Sequence, residues 1–124
     1  MTLFIYAYEN FYGGLHGMND YGFFKIDKEK EAEEIALDLS CGVIEGYEDI
    51  ERQLEEEADF YSDDRESDEW YTAYDDAVMQ DTAYEIYALK DEIKEKSECE
   101  LFELVAQEGV EGFIEKYCEE PKWE

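Results

Sequence analysis

The sequence predicts an α+β domain, with a small antiparallel sheet of about three strands and a long acidic helix and shorter helices packed on one face of it. Three observations carry that prediction. The runs TLFIYAY, YGFFKI and TAYEIYAL are aromatic and β-branched, as strands are. The segments between them space apolar residues three and four apart, as helices do, and glycine- or serine-rich stretches separate the two kinds. With 124 residues, 44% hydrophobic and 16% aromatic, the chain is one domain with apolar area enough for a core.

Thr2 to Tyr8 reads as a strand covered on both faces. The segment ENFYGGLHGMNDY that follows is a loop by its glycines and asparagines. Tyr21 to Ile26 then returns as the second strand of a wide hairpin. Asp27 is placed to cap a helix whose first turn holds Glu29 and Glu31. That helix keeps one apolar stripe through Ala32, Ile35, Leu39, Val43, Tyr47, Ile50, Leu54, Ala58 and Tyr61. Gly42 and Gly46 weaken its middle by about 1 kcal/mol each, which marks the place for a kink or break. Ser62 to Asp68 is a loop. Trp70, Ala73, Tyr74, Ala77 and Val78 define a shorter helix, with Tyr61, Trp70 and Tyr74 at core-like spacing. Thr82 to Leu89 is the third strand. Ser97 and Glu100 fit a capping box above Leu101, Leu104 and Val105, Gly109 can end that helix, and Val110 to Tyr117 adds a further turn or two before Pro121.

The formal net charge is −27, whereas a magnitude of about 2 to 8 keeps a small domain soluble. Such self-repulsion disfavours the compact state, so the charge calls for a function. It is also unevenly placed. Residues 1–26 are nearly neutral, while residues 27–69 hold nineteen acids against four bases. Eight Lys against two Arg argue against adaptation to high salt. Cys41, Cys99 and Cys118 form an odd, sparse set without CxxC spacing, which fits reduced thiols in a cytoplasm. No basic segment precedes the apolar N-terminal residues, no apolar run is long enough to span a bilayer, and anionic lipid repels an acidic surface. No membrane role is expected.

The acidic maximum is EDIERQLEEEADFYSDDRESDE, residues 48–69, with twelve carboxylates against Arg52 and Arg65. Its apolar residues hold helical phase, so the carboxylates belong to an ordered element. Glu51, Glu55 and Asp59 recur every four residues, about 6 Å apart along an axis. Duplex DNA carries one phosphate charge per roughly 1.7 Å, and its partners gain affinity by releasing the counterions around it. A rigid acidic face can supply the same gain. The candidate partner-binding residues are Glu45, Glu48, Asp49, Glu51, Glu55, Glu56, Asp59, Asp63, Asp64, Glu66, Asp68 and Glu69, with Trp70 and Tyr71 as aromatic anchors. The expected partner is a basic nucleic-acid-binding protein or complex, not nucleic acid itself. The other function class is an acidic adaptor that binds a basic protein without imitating nucleic acid. The aromatic-rich sheet offers a surface for a homodimer.

No enzyme is expected. The single histidine, His16, lies in a glycine-rich loop without a nucleophile or an orienting partner, and no phosphate-cradling glycine motif occurs. The acids match no EF-hand, since residues 59–69 contain no glycine. One His and three scattered Cys do not make a zinc site. Neither a catalytic residue, a metal nor a cofactor is expected.

The opening LFIYAYENFYGGLHGMND, through Ile5, Tyr6, Tyr12, Gly14, Leu15, His16 and Gly17, resembles the start of the ArdA antirestriction family. Its members begin with a strand and a Tyr/Asn/Gly loop that ends in Leu-His-Gly. They are acidic mimics of B-DNA that inhibit type I restriction enzymes and travel on mobile elements. The resemblance covers residues 3–20, and the tryptophan that usually follows the Leu-His-Gly has no counterpart at Met18 to Asp20. More broadly the chain is similar to small acidic phage proteins that disable host defence, anti-CRISPR proteins among them. The resemblance implies an inhibitor of a CRISPR effector or a restriction enzyme that competes for its basic channel.

Overall fold

Leu3, Phe4, Ile5 and Ala7 are all fully buried in one strand, and consecutive strand residues point to opposite faces. Both faces of that strand therefore need a cover. The computed structural model, which describes residues 1–9, 19–45 and 48–123, supplies two. The order is β1 (Thr2–Glu9), β2 (Asn19–Lys25), α1 (Glu29–Glu45), α2 (Glu48–Asp59), α3 (Asp68–Asp81), β3 (Thr82–Leu89), α4 (Glu98–Tyr117) and β4 (Cys118–Glu119). Among the described residues the strands form one antiparallel sheet in the order β2-β1-β3-β4. This is the expected α+β class. The helices lie on both faces, where the sequence suggested one.

On one face, Leu3 and Ile5 pack with Ala32 and Ala36 of α1 and with Ala88 of β3. The small alanines let the helix approach the sheet. On the other, Phe4 meets Leu101, Val105 and Phe113 of α4, and the Phe4 and Phe113 rings are 5.2 Å apart. A third cluster joins Ile44 of α1, Ile50 and Leu54 of α2, and Ala77 and Val78 of α3. The acidic hairpin α2–α3 thus hangs from α1 on a core of its own.

Two local expectations are corrected. The apolar stripe read as one long helix to Tyr61 is divided between α1 and α2, in the glycine-weakened stretch marked for a kink or break, with Gly46 and Tyr47 outside the described residues. Its first part, Ala32, Ile35 and Leu39, packs toward the sheet, whereas Ile50 and Leu54 pack with Ile44 and α3. Asp27 precedes α1 by two residues, and its carboxylate pairs with the Met1 ammonium in place of capping the helix. Gly109, at φ 76° and ψ 160°, ends the first part of α4 as expected, and the further turns to Tyr117 follow it. The Ser97 cap is as expected: its hydroxyl accepts from Glu100 N–H at 3.3 Å and donates to the Glu100 carboxylate at 3.0 Å. Strand β4 was not foreseen, because two residues are too few to show an alternation.

Candidate functional site

Helix α2 buries Ile50, Leu54 and Ala58, one residue per turn, against α1 and α3. Everything else on it is polar, so Asp49, Glu56 and Glu57 project into solvent. The chain then turns through a loop fixed by its own short side chains. Asp64 Oδ1 accepts from Glu66 N–H at 2.9 Å, Ser67 Oγ donates to the Asp64 carbonyl at 2.7 Å, and the Ser62 and Ser67 hydroxyls are 2.8 Å apart. Ser67 caps α3 by accepting from Trp70 N–H at 3.2 Å. Asp68 and Glu69 occupy the first turn of α3, where the helix dipole favours negative charge.

Arg65 organises this hairpin. Its Nε and Nη2 donate to the two carboxylate oxygens of Asp59 at 3.1 and 2.9 Å, and Nη1 donates to Glu55 at 2.9 Å. The guanidinium lies 5.7 Å from the Trp70 ring centre, and Trp70 Nε1–H donates to Asp59 at 2.8 Å. Trp70 in turn stacks on Tyr74, with centres 5.2 Å apart and planes within 8°. Arg65 first, then the Trp70 hydrogen bond, holds the Asp59 carboxyl below the usual carboxylate range. The charges that sequence analysis placed in one exposed row are therefore partly spent inside the molecule.

The candidate residues divide accordingly. Glu45, Asp49, Glu56, Asp63, Asp64, Glu66, Asp68, Glu69 and Tyr71 are exposed. Glu51, Glu55 and Asp59 are half-buried along the seam with α3, and Glu55 and Asp59 are bound by Arg65. Trp70 is only 7% exposed and serves as core, as its spacing suggested. The side chain of Glu48 lies outside the described residues, as do His16 and Tyr12 to Gly17 of the N-terminal motif.

The field around this cluster is strongly negative. Burial, with Glu51, Cys41, Glu55 and Glu45 nearby, pushes the Tyr74 phenol up to about 12. Burial together with Asp75, Asp38 and Glu45 pushes the Cys41 thiol to about 11. Asp75 is raised by burial and by its neighbours Asp76 and Asp38. Among the described residues no group of three or more His, Cys, Asp or Glu is arranged to hold a metal ion, and no described helix is long and apolar enough to cross a membrane.

Sequence reasoning missed a second feature of the hairpin. Phe60 and Tyr61 close α2 at 90% and 72% exposure, although the apolar stripe had assigned Tyr61 to the core. Both residues lie in the turn after Asp59, where Phe60 N–H donates to the Glu57 carbonyl and Tyr61 N–H to that of Ala58, so helical phase no longer sets their direction. Tyr61 borders a groove of about 520 Å³ along α2 and α3, which Glu57 and Asp76 also line. No protein family, no curated protein and no solved structure matches the chain.

Proposed function

We propose that this protein is a non-enzymatic inhibitor that occupies the basic channel of a nucleic-acid-binding defence complex, a CRISPR effector or a restriction enzyme, in place of DNA or RNA. One observation carries the reading: the exposed carboxylates Asp49, Glu56, Asp63, Glu66, Asp68 and Glu69 stand on a packed, capped and ion-paired helical hairpin. A backbone held in place presents charge without an ordering penalty at the moment of binding, and preorganisation raises affinity. Lys and Arg of the partner exchange their counterions for these carboxylates as they would for phosphates. The long-range negative field speeds the encounter.

The test starts by capturing partners from bacterial lysate on the immobilised protein at low salt. The captured complex is then challenged with an oligonucleotide duplex and, separately, with rising salt. Displacement by the duplex and a steep loss of binding with salt are expected. The triple substitution Asp63→Lys, Glu66→Lys and Glu69→Lys should abolish inhibition, since none of these side chains belongs to the Arg65 cluster. Inhibition that survives this triple rules out the face.

The exposure of Phe60 and Tyr61 favours a second reading, an acidic adaptor that grips a basic protein without imitating nucleic acid. Aromatic anchors of this kind hold protein interfaces together. An adapted partner would stay bound while it carries the duplex.

A further inference from the structure

The α2–α3 groove combines three features. Its covered part is apolar, with Ala73 and Ala77; its exposed lining is acidic, with Glu57, Glu69 and Asp76 beside the Tyr61 ring; and no described residue lining it is basic. Its volume of about 520 Å³ falls within the roughly 300–1,000 Å³ of ordinary ligand sites. Tyr61 lines it while remaining 72% exposed. A large aromatic this exposed at a concave surface marks a contact site.

From this combination we propose that the groove binds an arginine-bearing segment of the basic partner protein. The inference rests on the partner being basic, as read above, and adds what anchors it. An arginine side chain has an apolar stem and a planar, permanently charged head that stacks on aromatic rings and binds carboxylates in pairs. The stem fits along Ala73 and Ala77, the guanidinium faces Glu57, Glu69 and Asp76, and the Tyr61 ring offers its face for cation–π attraction. The chain already displays this chemistry with its own residue. On the neighbouring side of α2, Arg65 is held by two carboxylates, Glu55 and Asp59, with an aromatic ring, Trp70, 5.7 Å beneath it. The groove repeats the combination of carboxylates and aromatic with the arginine to be supplied by the partner.

The probe is a blocked amphipathic peptide with arginines on one helical face and leucines on the other, alongside its lysine counterpart. Both are titrated into the ¹⁵N-labelled protein. Shifts concentrated at Tyr61, Thr72, Ala73 and Gln80, with the arginine peptide several-fold tighter, are expected. Shifts centred on the loop at residues 62–67 or on α4, or equal binding of the two peptides, overturn the proposal. Two sets of variants add an independent measure. Thr72→Trp fills the groove without changing charge, and Glu57→Gln with Asp76→Asn removes two charges from its rim. Each should weaken the arginine peptide by about tenfold, a difference of 1.4 kcal/mol. Asp63→Asn with Glu66→Gln removes the same charge from the loop and should weaken it by less than about twofold, as expected when charge only steers. Equal losses in the two charge pairs, or a Thr72→Trp protein that melts like the parent and binds like it, overturn the groove as well. The two readings fail separately. A duplex that leaves the captured partner in place removes the decoy mechanism and spares the groove, whereas the peptide results bear on the groove alone.

Discussion

Arg65 holds Asp59 side-on, Nε to Oδ1 at 3.1 Å and Nη2 to Oδ2 at 2.9 Å. Such a fork-to-fork pair fixes orientation as well as distance. It ties the end of α2 to the loop that leads into α3, and brings Trp70 into the same cluster through its indole hydrogen bond. In a chain that repels itself, this arginine is the clasp of the most acidic segment.

Substituting Arg65→Met removes the clasp and keeps most of the apolar stem. The urea midpoint should fall at pH 7, with Trp70 emission shifting to the red as the indole loses its place. The depressed Asp59 titration sets the pH dependence. A carboxyl with a folded-state pKa below its unfolded value adds stability that is complete above about pH 4 and is lost as the pH falls through the folded value. The gap between parent and variant should therefore narrow in the acid range below the ordinary aspartate value. A gap of constant size down to pH 2 would contradict the ion pair as its source.

Asp75 behaves in the opposite sense. Burial, with Asp76 and Asp38 close by, raises its folded-state pKa. Its protonated form is therefore favoured by folding; that contribution is complete below the unfolded value and disappears as the pH rises through the folded one. At pH 7 the charge weakens the fold, so Asp75→Asn should raise the melting temperature by a few degrees, which corresponds to less than about 1 kcal/mol in a domain of this size. The advantage should vanish near pH 3, where both proteins are neutral at this position. Thermal melts at the two pH values measure it.

Gly109 and Gly112 make a matched pair. At Gly109, φ is 76° and an added Cβ would meet nothing within 4 Å, so the penalty for a side chain is in the backbone alone. Gly109→Ala should destabilise by about 1–3 kcal/mol. Gly112 lies in helical backbone, and its added Cβ would meet Glu108 Cβ at an ordinary 3.5 Å. Gly112→Ala should stabilise by up to about 1 kcal/mol. Opposite signs within one helix, read by chemical denaturation, are the expected result; equal signs would contradict the break.

The three thiols should separate by reactivity. Cys99 is exposed on α4. Burial and the acids around it push Cys41 to about 11, and burial pushes Cys118 to about 12, so both stay protonated and slow to react at neutral pH. Maleimide at pH 7 should label one site quickly and the other two only in denaturant. Intact mass and peptide mapping check the order, and early labelling of Cys118 would contradict its burial at the start of β4.

Much of this architecture was legible along the chain. TAYEIYAL gave β3 with its observed ends, since aromatic and branched residues pack well on a pleated surface. The two-sided burial of β1 was visible in TLFIYAY, although the requirement for helices on both faces was not drawn from it. Gly42 and Gly46 marked the α1–α2 break, whereas apolar spacing alone read through it, because that spacing reports which side of a segment is covered and not whether the segment is continuous. The site was less accessible still. Arg65 reaches back six residues to Asp59 and ten to Glu55, spacings with no helical period, so nothing in the pattern marked those carboxylates as internally satisfied. The groove needs the side-by-side packing of α2 and α3, which depends on tertiary contacts.

The central position of β1 has a consequence for synthesis. It pairs with β2 a short way along the chain, but its other edge belongs to β3, from Leu3 against Ala88 to Glu9 against Thr82. Three helices must leave the ribosome before that edge can close. Until then a nascent chain carries a bare, apolar strand, the kind of surface that invites aggregation. The abundant negative charge on the helices made in the interval would keep neighbouring nascent chains apart.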